Sequence, residues 1–338
     1  MSNRTKNIIY SILLVSSVFI VMKCREGKRQ QALRIEGATM GTTYHVTYFD
    51  KHERNFKVSV DSILILVNKS INTYDSTSDI SRFNKSVSGI RFSLPFFLRP
   101  LKTALEVYQG SSGAYDPTVM PLVNAWGFGP KKITVPDTAY IESVRAFIGL
   151  NKIRFSSDSV TKPDQRIQLD FGGIGQGYGA DIITDFLKSK GIENMLVELG
   201  GEGMAIGINL ESGKPWELGL VDPTAPEKFI GYISLSGRSF STSGNYFNYR
   251  EVNGIRYSHT IDPSSGYPVQ RALLSATVFA ADCTTADAWA TAFMSMGHEK
   301  AIEILSSRKD IDACLIWSVP GGTEKHITPG IAGSITMN

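Results

Sequence analysis

Hydrophobic positions recur along this chain with two different periods. Val60, Ile63, Leu64, Val67 and Ile71 repeat at helical spacing through 57–73, and small polar residues over 74–78 break the pattern. A second amphipathic stretch over 96–109 stops at Gly110. Pro136 and Asp137 open a helix near 137–148, and a glycine-rich loop leads into another over about 177–190, closed by Gly191. Further helices are predicted at 284–297 and 299–307. Two-residue alternation marks 33–49 as one or two strands, interrupted at Met40, Gly41 and Thr42. Strands are also predicted at 152–155, 166–170, 194–199, 203–208, 216–221, 231–236, 255–261, 273–280, 312–318 and 323–328. Many of these follow one another without an intervening helix. That favours an α+β fold of mixed, largely antiparallel sheets with packed helices over a regular βαβ series.

Length and composition narrow the classes. With 338 residues the chain is long enough for one large domain or two modest ones. The net charge is only +3, and no Lys/Arg run inside the body forms a nucleic-acid face. The three cysteines, Cys24, Cys283 and Cys314, share no CxxC spacing, so neither a zinc site nor a disulfide framework follows. Cys283 and Cys314 read as packing residues. Arg4 and Lys6 precede an apolar run over 8–22, followed by Lys23, Cys24 and Arg25, the layout of a secretory signal. The run falls short of the roughly 20 residues a spanning helix needs. Cys24 directly after it suggests lipidation, against which stands Lys23 where a small residue is usual; an uncleaved anchor and a plain cleaved signal are the other readings. Each places the body outside the cytoplasm near a membrane. The organisation expected is a signal or anchor over 1–24, a polar tether over 25–32, one domain over 33–330 and a tail over 331–338.

The densest chemistry lies at 169–182, LDFGGIGQGYGADI. Glycines admit close backbone approach and positive φ, and free amides at a helix start attract phosphate oxygens. A phosphate-bearing ligand is one reading. Gly175, Gly177 and Ala180 also fit a GxGxxA dinucleotide fingerprint with Glu198 downstream, although Asp170 sits inside the preceding strand and no second mononucleotide half is visible. A tight strand–helix junction with no ligand is the third.

Several other stretches share this small, polar, turn-rich character. In order they read MGT at 40–42, INTYDSTSDISRFN at 71–84, GAYDPTVMPLV then WGFG within 113–129, LDFGGIGQGYGAD at 169–181, VELGGE at 197–202, STSGNY at 241–246, SHTIDPSSGYP at 258–268 and ADAWATAFMSMG at 286–297. With these motifs, spread over about 34–330, the sequence closely resembles the ApbE family, the FAD:protein FMN transferases. The resemblance implies an ApbE-like, T-fold-like architecture. It implies an enzyme that binds FAD, uses Mg²⁺ and transfers FMN through a phosphoester to a threonine hydroxyl of a partner flavoprotein, releasing AMP. Expected partners are extracytoplasmic subunits of redox complexes of the Nqr and Rnf type, reached from the periplasmic face of a bacterial inner membrane.

Carried onto this chain, the family pattern makes Asp287, Thr291 and the main-chain carbonyl of Gly173 the metal ligands. Asp287 and Thr291, four apart in a predicted helix, face one side, and magnesium favours such hard oxygens. For Asp287 the plain reading is a first-turn carboxylate stabilised by its helix dipole. For FAD the resemblance points to Met40, Tyr74, Ala114, Tyr115, Asp116, Asp170, Gln176 and Ile261. Tyr74 and Tyr115 could stack on rings, or simply pack; Asp116 and Asp170 could accept hydrogen bonds from the ligand. Gln176 departs from the lysine or glutamate common there. His259 is the candidate base or proton relay for the acceptor threonine, with Asp287 able to share the proton. The segment 241–244 either shapes the acceptor side or is a simple turn. An FAD pyrophosphatase, in which water replaces threonine, fits the same residues; a flavin-storage lipoprotein and an NAD-type oxidoreductase are the remaining alternatives.

Overall fold

The computed structural model describes residues 30–128, 137–245 and 258–338, and the backbone of 249–252 and 255–257. The expected signal segment 1–24 with Cys24, residues 25–29 of the tether, and Pro136 lie outside the described residues. Met40 and Gly41 carry positive φ of 50° and 76°, which suits the tight turn that follows the right-handed twist of paired strands. They join β1 (Leu33–Thr39) to β2 (Thr42–Tyr48), so the interruption in that stretch is a hairpin. Then come α1 (Lys57–Ile71), α2 (Asp79–Lys85), β3 (Gly89–Arg91), α3 (Leu98–Gly110), α4 (Met120–Ala125), α5 (Thr138–Arg145), β4 (Arg154–Phe155) and β5 (Ser159–Thr161). The middle of the chain holds α6 (Gly175–Ser189), β6 (Met195–Leu199), β7 (Glu202–Ile206), β8 (Trp216–Asp222), β9 (Ala225–Leu235), β10 (Arg238–Gly244), β11 (Tyr249–Val252) and β12 (Ile255–Ser258). It closes with β13 (Leu273–Ala280), α7 (Cys283–Met296), α8 (His298–Ser307), β14 (Asp312–Val319), β15 (Gly322–Ile327), α9 (Pro329–Ala332) and β16 (Ile335–Met337).

The expected α+β architecture is present. An eight-stranded sheet runs β1-β2-β6-β7-β10-β13-β14-β15 with every neighbouring pair antiparallel. Alternation along its strands sorts the core into layers. Ala276 and Val278 pack with Trp289 and Phe293 of α7, whereas Phe279, one residue out of phase, packs with Trp216, Leu220 and Ile233 of the smaller sheet β16-β9-β8. Val197 and Leu199 meet Ile183 and Leu187 of α6 and Val60 and Leu64 of α1, which accounts for the helical spacing read in 57–73.

Four expectations are corrected. Residues 166–170 form no ladder strand: Gln168 makes a single parallel bridge to Val119, and the Asp170 amide donates to the Pro117 carbonyl at 2.7 Å. Residues 238–244 are a central strand and 241–244 no simple turn; its helix-side residues Ser239 and Ser241 are fully buried but polar, so no hydrophobic alternation marks it. The strand at 255–261 ends at Ser258, and Ile261 makes only an isolated bridge to Pro268. Residues 331–338 are no loose tail, because Ile335, Thr336 and Met337 pair with Ile233, Tyr232 and Gly231.

The helices α6 and α7 cross at Gly177. A methyl group there would lie 2.4 Å from the Cys283 carbonyl oxygen and 2.7 Å from the Asp287 Cβ. The contact is backbone on one side, so it cannot yield by a rotamer change. Gly177→Ala is therefore expected to cost about 1–3 kcal/mol, read as a lower midpoint in urea unfolding; an unchanged midpoint would show that the helix pair relaxes freely.

Candidate active site

The glycine loop is fixed in place by two segments far away in sequence. The Asn84 side chain accepts from the Leu169 amide at 2.7 Å and donates to the Leu169 carbonyl at 2.8 Å. With the Asp170–Pro117 bond, this brings the SRFN and YDPTV stretches against LDFGG. After the loop α6 begins, and its first turn meets α7 through an exchange of carboxylates. Asp287 accepts from the Gly177 amide at 3.0 Å. Asp181 of α6 accepts from the Cys283 amide at 2.8 Å and the Thr284 amide at 2.9 Å. Each helix thus satisfies orphan amides at the start of the other. Arg99 approaches Asp181 at 3.2 Å and binds Asp185 at 2.6 Å, placing a cation beside one of the two buried carboxylates.

Asp287, Thr291 and Ser295 stand at i, i+4 and i+8 on α7 and all line one cleft of about 860 Å³. Thr291 Oγ1 donates to the Gly173 carbonyl at 3.4 Å, a long bond that leaves both oxygens open to a further partner. A Cβ at Gly173 would sit 2.7 Å from Thr291 Oγ1, so only glycine lets the two oxygens converge. The three expected metal ligands are therefore gathered in one place. None of the loop's glycines adopts a positive φ; at Gly173 and Gly177 the missing side chain makes room for α7 rather than for a left-handed turn.

The remaining predicted residues surround the same space. Tyr74, Ala114, Tyr115, Asp116, Asp170, Gln176, His259 and Ile261 line the cleft. Met40 lines a neighbouring, more apolar pocket of about 470 Å³, which shares Tyr74, Asp170 and Gln176 with it. Tyr74 is 71% exposed at the rim. Tyr115 is buried with its ring in the main core, so it offers a hydroxyl rather than a stacking face. Asp116 is engaged locally, accepting from the Thr118 amide at 2.8 Å and hydroxyl at 2.6 Å. Asp170 accepts from the Gly172 amide at 2.9 Å. His259 is exposed at the cleft.

Sequence reasoning gave no role to Glu202 or Ser295, and named Glu198 only as the downstream acid of the dinucleotide-fingerprint reading. Glu202 is 5% exposed, as is Asp287, and its place in the motif VELGGE was the available signal. Among the described residues, Glu202 Oε2, Tyr115 Oη and Ser295 Oγ have no hydrogen-bond partner in the cleft, nor has the adjacent Ser241 Oγ, which faces both Glu202 and Asp287. Buried polar atoms are nearly always paired, so this concentration marks a place where a ligand supplies the partners. Among the described residues, five carboxylates line the cleft (Asp116, Asp170, Glu198, Glu202 and Asp287) and no lysine or arginine does. An anionic ligand meets no lysine or arginine among these described residues, and the hard oxygens of Asp287, Thr291 and Gly173 are of the kind that could hold magnesium.

Comparison with known proteins finds a matching family model and solved structures of similar fold. The ApbE family model matches residues 40–315. An FAD:protein FMN transferase of Vibrio cholerae is 33% identical over 306 residues, covering 88% of this chain and 91% of that protein. The solved flavin transferase ApbE from Vibrio cholerae superposes with a TM-score of 0.80 at 32% identity, covering 89% of this chain and 98% of that one. The Pseudomonas stutzeri flavinyl transferase ApbE in its apo form gives 0.79 at 34% identity, covering 89% and 95%.

Burial raises the carboxyls of this site. It pushes Asp116 up to about 6. Asp287 and Asp181 are raised by burial first, and Glu202 by burial and then by the Asp287 charge. Each binds its proton more tightly folded than unfolded, so from about pH 4 up to those raised values the folded state holds more protons and stability falls as pH rises. Asp50 and Asp164, lowered to about 2 by Arg54 and Arg166, act below that window. Thermal melting of the cation-free protein is expected to show a midpoint that declines from about pH 4 toward neutrality. Asp287→Asn, which keeps an acceptor for the Gly177 amide, should flatten that decline; an identical slope in the variant would refute it.

Proposed function

The chain belongs to the ApbE family, and from that premise we propose that it moves the FMN half of FAD onto a threonine hydroxyl of a partner flavoprotein, with magnesium, releasing AMP. In coarse outline the enzyme is an FAD:protein FMN transferase. The observation that carries the finer reading is the cleft itself. It joins an acidic wall without lysine or arginine, a convergent set of oxygens at Asp287, Thr291 and Gly173, and buried polar atoms awaiting partners.

In this reading the diphosphate lies against the glycine loop, and the smaller pocket beside Met40 and Tyr74 takes one of the ring systems. Asp287, Thr291 and the Gly173 carbonyl would hold the magnesium ion, which supplies charge neutralisation for the phosphates and the departing AMP. Asp287 is aimed by the Gly177 amide. Burial at Asp287 and Glu202 keeps water from screening the charges they offer. His259 stands exposed at the mouth, where it accepts the threonine proton. The threonine oxygen bonds to the FMN phosphorus, the bond from that phosphorus to the bridging oxygen breaks, and AMP leaves with that oxygen. The apolar run 8–22 and Cys24 support a further proposal: the N-terminus holds the enzyme, through lipid or an anchor, at the extracytoplasmic face of the inner membrane, where Nqr- and Rnf-type acceptors are reached.

Incubation with FAD, Mg²⁺ and a threonine-bearing acceptor domain tests the reading. Covalent flavin on the acceptor with stoichiometric AMP is expected, whereas free FMN alone would make the enzyme a pyrophosphatase. Asp287→Ala should lower Mg²⁺-dependent AMP release by on the order of a hundredfold or more with the melting profile of a folded protein. His259→Ala should slow transfer by roughly a hundredfold with FAD affinity preserved, and equal losses in both would make His259 a binding residue.

A further inference from the structure

Among the described residues, the large sheet leaves one edge unpaired inside the cleft. Strand β10 pairs with β13 over six residues, Ser239 to Ala280 through Gly244 to Ser275. On its other side it pairs with β7 over only three, Arg238 to Ala205, Ser239 to Met204 and Phe240 to Gly203. The β6–β7 hairpin turns back at Gly200 and Gly201, and β10 continues past its tip.

Strand alternation determines which groups are exposed there. A two-residue hairpin closes on a hydrogen-bonded pair, here Leu199 and Glu202. Gly203 therefore turns its amide and carbonyl toward Phe240. Two and four residues further along, Thr242 and Gly244 turn theirs to the same side. The opposite side of β10 agrees, because the Asn245 amide donates to the Leu274 carbonyl across toward β13. Among the described residues no strand follows at the Thr242 and Gly244 edge. The Thr242 hydroxyl is turned away to Thr277 at 3.0 Å, and Gly244 has no side chain to cover the edge. Such edges are normally covered or kept very short, because they recruit another chain. This one lines the active-site cleft together with His259 and Thr260. Ser241, between Phe240 and Thr242, faces Asp287 and Glu202.

We infer that the Thr242 and Gly244 edge of β10 receives the acceptor protein's threonine-bearing segment as an added antiparallel or parallel strand. The inference rests on the transferase reading above and specifies how its protein substrate is held. Backbone pairing supplies the affinity, and the alternation of the added strand sends the threonine side chain to the Ser241 face, toward Asp287.

The test uses the intact enzyme, FAD and Mg²⁺, a recombinant Nqr-type acceptor subunit, and short synthetic peptides spanning its threonine with one backbone N-methyl group moved along the series. The unmodified peptide is expected to take flavin. N-methylation at alternate residues beside the threonine should raise the peptide KM by about tenfold or more, with the intervening positions and FAD affinity unchanged. A uniform response, no response, or a labelled subunit beside an inert unmodified peptide would overturn strand addition alone. Failure to label subunit and peptide alike would overturn the transferase reading and this inference with it. A loss of FAD affinity on adding the unmodified peptide would mean that the nucleotide occupies this edge, and would also overturn it.

Discussion

Everything in the active site depends on two helices that complete each other's first turns. Asp181 of α6 holds the opening amides of α7, and Asp287 of α7 holds an amide in the opening turn of α6. Neither carboxylate could be buried without such partners, since an isolated buried charge costs far more than a hydrogen bond returns. The exchange fixes the helices in register, and Gly177 allows them to come close enough to make it. Register in turn decides that Thr291 lies over the Gly173 carbonyl and that Ser295 points into the same cleft. The arrangement of these groups in the cleft thus follows from helix capping.

The same economy shapes the electrostatics. A protein that binds a dianionic diphosphate often offers arginine or lysine. Here the described wall offers carboxylates, and the burial that raises them is offset only in part by backbone amides. The folded chain therefore concentrates carboxylates at one spot, and in the proposed reading the donor and its cation bind interdependently, each neutralising charge that the other introduces.

Much of this was legible in the sequence, and what was not had physical reasons. The periodic apolar faces of α1 and α3 mark helices because one side of each meets the core, whereas α7 is buried nearly all round and reads as a helix by its length and its alanines. The ordered motifs marked most of the cleft, and Asp287, Thr291 and Gly173 converge as their pattern implied. Strand β10 escaped because its inward residues on the helix side are serines, polar for the sake of the site they border. The short α2 escaped because it is held by the Ser78 cap and by tertiary contacts rather than by a long amphipathic pattern. The glycines of the loop were readable as a need for space, but not as space for α7. Glu202 stood in a quoted motif, yet burial of a glutamate cannot be told from its neighbours in sequence.

The last paired strand, β16, hydrogen-bonds β9, and β9 in turn supports β8, whose Leu218, Gly219 and Val221 form one wall of the cleft. Residues 335–337 therefore act as a buttress for a reaction site assembled from segments far upstream. Trimming a handful of residues there, or burdening them with an affinity tag, would be felt at the wall as looseness rather than as unfolding, so preparations differing only in their final residues need not behave as one enzyme.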